Sequence, residues 1–354
     1  MSQTLTASPA ARGDKSPPDG QPARRSPLRR FLIRPEAGSL LGAVAVFALF
    51  YALAPSFRQV ESFSTILYQS STLGIVAVGV ALLMIGGEFD LSAGVGVIAS
   101  ALFASMLAYE FSANVWVGVA LALVFSLSVG FVNGWLLVKT KLPSFLVTLS
   151  TFLMLQGLNV ALTKLISGGV STKNISNMDG FDLASAVFAH TFVVGDVRVK
   201  ITVLWWLLLV AVATWVLLRS RVGNWIYAVG GDAQAARAVG VPVKRVKIGL
   251  FMTVGFTAWI AGMHMLFEFG TVQSGEGVGR ELLYIMAAVV GGCLLTGGFG
   301  TAVGSAIGAL IYGMSRQGIV YAGWDNNWLM FFVGAMLLLA TVINISVKRH
   351  ASKR

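Results

Sequence analysis

The sequence predicts an all-α polytopic membrane protein with about ten transmembrane helices, and three observations carry this prediction. Of its 354 residues, 56% are hydrophobic and only 12% are charged, whereas soluble domains contain roughly 25% charged residues. Its 40 glycines suit the close helix packing of membrane interiors. Apolar runs long enough to cross a hydrocarbon core of about 30 Å recur along the chain.

The predicted spans are long apolar runs separated by shorter polar segments. They lie at 37–57, 62–87, 91–109, 111–138, 142–163, 201–218, 248–267, 282–315 and 326–347. The run 282–315 is too long for one helix, and glycine-rich stretches interrupt it. We therefore divide it into two, which gives ten spans.

The residues outside the spans at the two ends are basic. Residues 1–35 combine repeated prolines with seven Lys/Arg and are expected to form a disordered cytoplasmic tail. Arg29-Arg30-Phe31-Leu32 loosely resembles a twin-arginine export signal, but Pro35 fits such a signal poorly. The transmembrane domain is expected to cover 36–347, followed by a basic C-terminus at 348–354.

The distribution of positive charge predicts the topology. With ten spans and the N-terminus inside, 19 Lys/Arg fall in cytoplasmic segments and seven in outer segments, as the positive-inside rule requires. Both termini and the loop 219–247 are then cytoplasmic, and the loop 165–200 is extracytoplasmic. That outer loop carries charges of both signs. Such a surface is suited to docking of a soluble protein, but it is equally typical of a solvated loop that binds nothing. Topology thus explains the net charge of +11, and no nucleic-acid partner is expected.

The loop 219–247 contains the signal for a short, polar, capped helix. Gly230-Gly231 interrupt the chain, and Asp232 can accept the free N–H groups of the next turn. The stretch 233–239 favours helix, and Gly240 with Pro242 ends it. Such a helix cannot lie in lipid, so we expect it at the cytoplasmic surface, where a partner could push on it.

Two acidic residues interrupt the apolar sequence between the second and third spans, Glu88 and Asp90, followed by Ser92. Carboxylates at membrane depth are costly and mark a pathway or a satisfied structural role. Asp90 is expected to cap a helix that begins at Leu91, a role that does not exclude lining a cavity. Glu88 is expected either to line the path or to face cytoplasmic water.

A similar glycine pattern occurs again later in the chain. Gly291-Gly292 follows Gly86-Gly87 by 205 residues, and each pair precedes a stretch of small residues. Corresponding interruptions in two halves suggest an inverted-repeat transport pathway. The following glycines favour close helix packing or, alternatively, a backbone-lined constriction: Gly297, Gly298, Gly300, Gly304 and Gly308.

Several function classes lack their motifs. The chain has no G-x-x-x-x-G-K-[ST], so it is not expected to bind ATP itself, and it has neither H-E-x-x-H nor G-x-S-x-G. One cysteine, Cys293, and three scattered histidines predict no disulfide, metal site or catalytic set. His264 is expected to pack or to line a pore. A secondary transporter and a membrane enzyme remain alternatives.

Three motifs resemble one family in order. Ala228-Val229-Gly230-Gly231-Asp232 with Ala235-Ala236-Arg237 and Gly240-Val241 resembles the A-V-G-G-N-x-x-A-A-R-x-x-G-I signature of bacterial sugar ABC-importer permeases of the ribose and xylose type. The stretch 88–94 is similar to that family's G-x-D-L-S-V-G, and 291–310 to its G-G-x-x-L-x-G-G-x-G-T-x-x-G-x-x-x-G-A-L. Asp232 stands where the family has Asn, Glu88 where Gly is common and Ala93 where Val is.

The resemblance implies a type II importer-like permease in the bacterial inner membrane. It implies a dimer of permeases, a cytoplasmic ABC ATPase that uses ATP, and an extracytoplasmic sugar-binding protein that delivers a monosaccharide. Lipid is expected to surround the spans, and this chain is expected to hold no cofactor. The helix at 232–239 would be the coupling helix seated in the ATPase. Apart from the resemblance, Arg237 is expected either to anchor this helix through a charge-assisted hydrogen bond to the ATPase or to contact a lipid phosphate. A secondary transporter, or an ABC permease for another small polar solute, is the alternative.

Overall fold

The computed structural model describes residues 35–111, 114–195 and 197–352, and within these ranges the chain is almost entirely helical. The helices in chain order are α1 Pro35–Leu53, α2 Val60–Ile85, α3 Ala93–Glu110, α4 Val115–Thr140, α5 Ser144–Ser167, α6 Phe181–Phe188, α7 Ile201–Arg219, α8 Arg221–Gly231, α9 Ala233–Ala238, α10 Val243–Phe269, α11 Arg280–Val290, α12 Ala302–Tyr321 and α13 Trp328–Ser352. A 3₁₀ turn, Pro55–Arg58, follows α1, and one antiparallel hairpin, β1 Thr191–Val194 with β2 Val197–Lys200, precedes α7. The predicted all-α polytopic fold is confirmed. The predicted tail at 1–35 lies outside the described residues except for Pro35, where α1 begins, and α13 continues past the predicted boundary at 347.

Each predicted span contains a helix, but the helices differ in how well they suit a membrane. Six described helices are long and apolar enough to cross one, namely α2, α3, α4, α5, α7 and α10. Shorter apolar stretches lie in α1 and α13. The run 282–315 is divided as expected, yet its first part, α11, has only 11 residues. At 1.5 Å per residue α11 is about 17 Å long and does not reach across the hydrocarbon core by itself.

The loops collect at two ends of the bundle. At one end, which we call the junction end, the Phe89 N–H donates to Ser144 Oγ at 3.1 Å, and the Gly298 N–H donates to the Ile85 carbonyl at 2.8 Å. Gly230 lies against Ile85 and Gly298 as well, so the segments 86–92, 141–143, 220–242 and 291–301 meet there. At the opposite end, which we call the hairpin end, the Ile175 N–H donates to the carbonyl of Gly270 at 3.1 Å. The predicted loop 165–200 lies at that end and contains α6 and the hairpin.

Three helices form the centre of the bundle. In the most apolar 18-residue stretch of α2, α3 and α10, 72–78% of the residues are buried, whereas the corresponding fraction in α4, α5 and α7 is 28–33%. The peripheral helices expose large apolar side chains such as Leu158, Leu207 and Trp215. Such surfaces are stable only in contact with lipid or another apolar partner.

The helices α2 and α11 end in the same way. Gly87 and Gly292 have φ angles of +85° and +97°, a left-handed conformation that glycine adopts without strain. Each glycine N–H donates to the carbonyl three residues earlier at 2.9 Å, and the following N–H donates five residues back at 3.2 and 3.0 Å. This Schellman motif closes both helices. The two glycine pairs that lie 205 residues apart in the sequence thus form the same hydrogen-bond pattern. The division of the chain into two inverted halves remains a prediction.

Candidate functional site

The segment 219–247 contains two helices where the sequence predicted one. Gly230 and Gly231 do not interrupt the chain before a helix, because they form the last turn of α8 and the Asp232 N–H donates to the Ala228 carbonyl at 3.0 Å. The Ser220 side chain begins α8 by accepting from the Gly223 N–H at 3.1 Å. The signal for α8 was present in the sequence as a Ser cap followed by apolar residues at helical spacing. These are Val222, Trp225, Ile226 and Val229.

The helix α9 has the predicted caps. Asp232 Oδ1 accepts from the N–H groups of Gln234 and Ala235 at 2.8 and 3.0 Å. These backbone hydrogen bonds hold the pKa of the exposed Asp232 carboxyl below its usual value, because they favour the charged form. The predicted N-cap is confirmed, with α9 ending at Ala238 and Val239 as its C-cap.

The far end of α9 is closed by Gly240, which has a φ of +87°. Its N–H donates to the Arg237 carbonyl and the Val241 N–H donates to the Ala236 carbonyl, both at 3.0 Å. The predicted helix end at Gly240 is thereby confirmed, and the glycine adopts the left-handed conformation. Ala236 is the buried residue of α9, whereas Arg237 and Val239 are exposed. The helix therefore presents a free surface away from the bundle.

Four glycines bring three segments into backbone contact, and we call Gly87, Gly230, Gly297 and Gly298 the glycine junction. A Cβ on Gly230 would overlap the Ile85 carbonyl oxygen and lie 2.7 Å from the Gly298 nitrogen. A Cβ on Gly297 would lie 2.6 Å from the Gly87 Cα and 2.7 Å from the Gly230 carbonyl oxygen. Real side chains do not fit at such distances. The end of α8 is thus packed between the chain that follows α2 and the chain that follows α11.

The remaining predicted glycines pack α11 against α12. A Cβ on Gly304 would overlap the Gly291 carbonyl oxygen, and one on Gly308 would overlap that of Ala287. These contacts support the packing interpretation for Gly304 and Gly308, and Gly291 lies in the same interface. Gly300 has a φ of +142°, and its carbonyl accepts from the hydroxyl of Tyr227 in α8 at 2.8 Å.

Glu88 does not face open water. Its carboxylate forms an ion pair with the ammonium group of Lys247, and the whole residue is only 8% exposed. Lys247 lies in the first two turns of α10, directly after the segment that contains α9. The ion pair therefore makes a second link between this segment and the chain that follows α2.

Asp90 does not cap α3, which begins at Ala93. Its Oδ1 instead accepts from the N–H and the hydroxyl of Ser92 at 2.8 and 2.5 Å, so the two residues form an Asx turn. The predicted helix start at Leu91 is wrong, because this stretch is hydrogen-bonded to α5 instead. The Leu91 N–H donates to Thr148 Oγ1 at 3.1 Å. Tertiary contacts have replaced the local cap.

The Asx turn belongs to a buried polar chain. Thr151 donates to Asn133 Oδ1 at 2.6 Å, and Asn133 Nδ2 donates to Ser92 Oγ at 3.0 Å. The sequence analysis did not predict a role for Asn133 or Thr151. An Asn within an apolar span was nevertheless a signal for a buried polar contact. A cavity of about 20 Å³ adjoins Asp90 and Ser92, which holds about one water molecule. This place is closed to any organic solute in the present conformation.

Replacing Asp90 tests whether its charge or its hydrogen bonds matter. Asp90→Asn keeps an acceptor for Ser92 and should leave the thermal midpoint of the purified protein near that of the wild type. Asp90→Ala removes the acceptor and should cost about 1–3 kcal/mol, seen as a lower midpoint and lower membrane abundance. Equal damage from both changes would mean that the carboxylate charge itself is required.

Cys293 is fully buried at the break after α11, between the predicted eighth and ninth spans. In the parts of the chain that the structure describes, no group of three or more His, Cys, Asp or Glu could hold a metal ion.

Comparison with known proteins identifies relatives over nearly the whole chain. A family model described as "Branched-chain amino acid transport system / permease component" matches residues 62–341. The ribose import permease protein RbsC of Escherichia coli (strain K12) is 32% identical over 310 residues, which cover 87% of this chain and 93% of the relative. The fructose import permease protein FrcC of Rhizobium meliloti is 27% identical, covering 87% and 84%. The xylose transport system permease protein XylH of Escherichia coli (strain K12) is 27% identical, covering 88% and 92%. No solved structure gives a significant match.

Proposed function

Because this chain belongs to the family of branched-chain amino acid transport system / permease components, we propose that it is the permease subunit of an ATP-binding-cassette importer for a monosaccharide. The observation that carries the proposal is the match to a ribose import permease over 87% of this chain. Relatives named for fructose and xylose import support the same class of substrate. The chain forms the path and is not itself an enzyme.

The energy for transport comes from another chain. With no phosphate-binding loop in its sequence, this subunit relies on a cytoplasmic ABC ATPase that binds and hydrolyses ATP. An extracytoplasmic binding protein delivers the sugar, and a second permease copy completes the path. Membrane lipid surrounds the peripheral helices, whose exposed side chains are apolar.

The helix α9 is the place where the ATPase acts. It is short, capped at both ends and free on the side of Arg237 and Val239. A displacement of α9 moves the end of α8, and Gly230 lies directly against the chain after α2 and the chain after α11. The Glu88–Lys247 ion pair adds a second connection. A single displacement of α9 would therefore be transmitted both to the chain after α2 and to the chain after α11.

The junction end faces the cytoplasm and the hairpin end faces outward. This orientation follows from the excess of Lys/Arg in the segments that would be inside. It places both termini in the cytoplasm and the ATPase beside α9. The segment 165–200, with α6 and the hairpin, is then available for the binding protein.

Thiol labelling tests this orientation. The natural thiol is unsuitable because Cys293 is buried, so new cysteines are needed at exposed positions. In intact cells, a membrane-impermeant maleimide should label Asn177→Cys at the hairpin end and should not label Ala238→Cys in α9. Wild-type protein should stay unlabelled. Labelling of Ala238→Cys alone would reverse the orientation.

Uptake into liposomes tests the function itself. The purified chain is reconstituted with its ATPase, ATP is enclosed on the ATPase side, and binding protein is added outside. Labelled ribose, xylose and fructose are then supplied separately. At least one sugar should accumulate, and only when ATP, ATPase and binding protein are all present. Uptake that needs no ATP would instead indicate a secondary transporter.

A further inference from the structure

A stripe of polar side chains runs along one face of α2 at the hairpin end. Glu61, Thr65, Tyr68 and Thr72 are spaced four, three and four residues apart, so they share one helical face. Glu61 is exposed and the other three are partly exposed. Thr72 lies about 18 Å along the helix from Val60, well inside the span. The hydroxyls of Thr65 and Thr72 donate to carbonyls of α2 at 3.2 and 3.0 Å and keep free acceptor lone pairs. Together with the carboxylate of Glu61 and the hydroxyl of Tyr68, they favour a face in contact with water or protein rather than lipid.

Helix α10 and strand β2 place polar groups beside this stripe. The Tyr68 hydroxyl lies 3.1 Å from His264 Nε2, and His264 Nδ1 lies 2.9 Å from the Phe188 carbonyl oxygen. A carbonyl only accepts, so Nδ1 carries the proton and Nε2 accepts from Tyr68. Lys200 Nζ also donates to Glu268 Oε1 at 2.6 Å. The groups along α10 are therefore fixed in position by hydrogen bonds.

Arg280 lies beside the stripe and makes only long side-chain contacts with Glu276 and Met265. Its Nη2 is 4.0 Å from Glu276 Oε2, and its Nη1 is 3.6 Å from Met265 Sδ, which are weak partners. Its side chain is 41% exposed. A guanidinium group offers five N–H donors, and the two side-chain contacts given above use them only weakly.

A small cavity lies at the inner end of this polar region. It has a volume of about 20 Å³, and its lining includes Thr72, Ile75, His264, Arg280 and Tyr284. The combination of aromatic rings, hydroxyls and one arginine is chemically suited to a neutral polyol, which needs apolar contact and several hydrogen bonds. The volume admits about one water molecule, so the path is narrow below this level in the present conformation.

We propose that the stripe on α2, together with His264, Arg280 and Tyr284, forms the outer vestibule of the path, where hydroxyl groups of the monosaccharide are bound before the path opens inward. This inference rests on the proposed function for the identity of the ligand. Whether water reaches the face does not depend on that identity. The two parts are tested separately.

Cysteine accessibility tests whether the face is wet. In a Cys293→Ala background, Thr65→Cys and Thr72→Cys are compared with Leu207→Cys and Val212→Cys, which lie at similar depths on the exposed apolar side of α7. A charged methanethiosulfonate added outside should label the two α2 positions about tenfold or more faster, because the thiolate forms only in water. Equal rates at all four positions would overturn the vestibule.

Protection and kinetics test whether the vestibule binds sugar. The probe is whichever of ribose, xylose and fructose the wild-type complex takes up in liposomes. That sugar with binding protein should slow labelling of Thr72→Cys, and Arg280→Gln should lower kcat/KM for uptake about tenfold, mainly through KM. Arg280→Lys should be less damaging, and ATPase binding should be unchanged in both variants. Normal uptake by Arg280→Gln, or labelling that the sugar leaves unchanged, would overturn the binding role. Absence of uptake by the wild type would instead count against the proposed function.

Discussion

Replacing Gly230 by alanine is expected to abolish sugar uptake in reconstituted liposomes. The added Cβ would overlap the Ile85 carbonyl oxygen and crowd the Gly298 nitrogen, which is hydrogen-bonded to that same oxygen. Every atom involved belongs to a backbone, so no side chain can turn aside. The end of α8 must move away from both helix breaks, and a push on α9 would no longer reach them.

The adjacent residue provides the control for this change. A Cβ on Gly231 would meet no atom within 4 Å, so Gly231→Ala should transport at close to the wild-type rate. Membrane abundance and co-purified ATPase, measured for both variants, separate a loss of coupling from a loss of folding. Uptake by Gly230→Ala equal to that by Gly231→Ala would show that the glycine junction does not transmit the motion.

Disturbing α9 should also abolish uptake, in this case by weakening the ATPase contact. Gly240 has a φ of +87° and open space around it, so Gly240→Val introduces backbone strain without a side-chain clash. A β-branched residue tolerates this conformation poorly, whereas Asn tolerates it well. Gly240→Val should therefore misplace α9, and Gly240→Asn should retain most of the uptake.

Charge reversal on α9 tests the same contact by another route. Arg237 is exposed and available for a charge-assisted hydrogen bond with the ATPase. Arg237→Glu should reduce the amount of ATPase that co-purifies and the hydrolysis stimulated by sugar with its binding protein. If Gly240→Val and Arg237→Glu both keep full ATPase binding and full transport, the segment is only a connector between spans.

The features that sequence predicted well depend on local physics. Long apolar runs must become helices because lipid offers no partner for backbone groups, and their positions agree with the structure. The caps of α9 were also predictable, since Asp232 and Gly240 act on residues within five positions of themselves. The break at Gly292 was visible as a glycine pair, although the shortness of α11 was not.

The features that sequence did not predict join residues far apart in the chain. The glycine junction brings together positions near 87, 230 and 297, and no local pattern relates them. Glu88 and Lys247 pair across 159 residues. Asp90 had an ordinary local role as a cap, but hydrogen bonds from 89 and 91 to α5 determined its conformation. In each case packing decided the outcome.

The most direct test of the central claim is the number of sugar molecules transported per ATP hydrolysed, measured in liposomes that contain the complete importer. If the glycine junction transmits the motion of α9, Gly231→Ala keeps the wild-type ratio, whereas Gly230→Ala binds the ATPase and still hydrolyses ATP but transports almost no sugar. An unchanged ratio in Gly230→Ala, at normal abundance of the complex, would contradict the claim that α9 drives the path through the glycine junction.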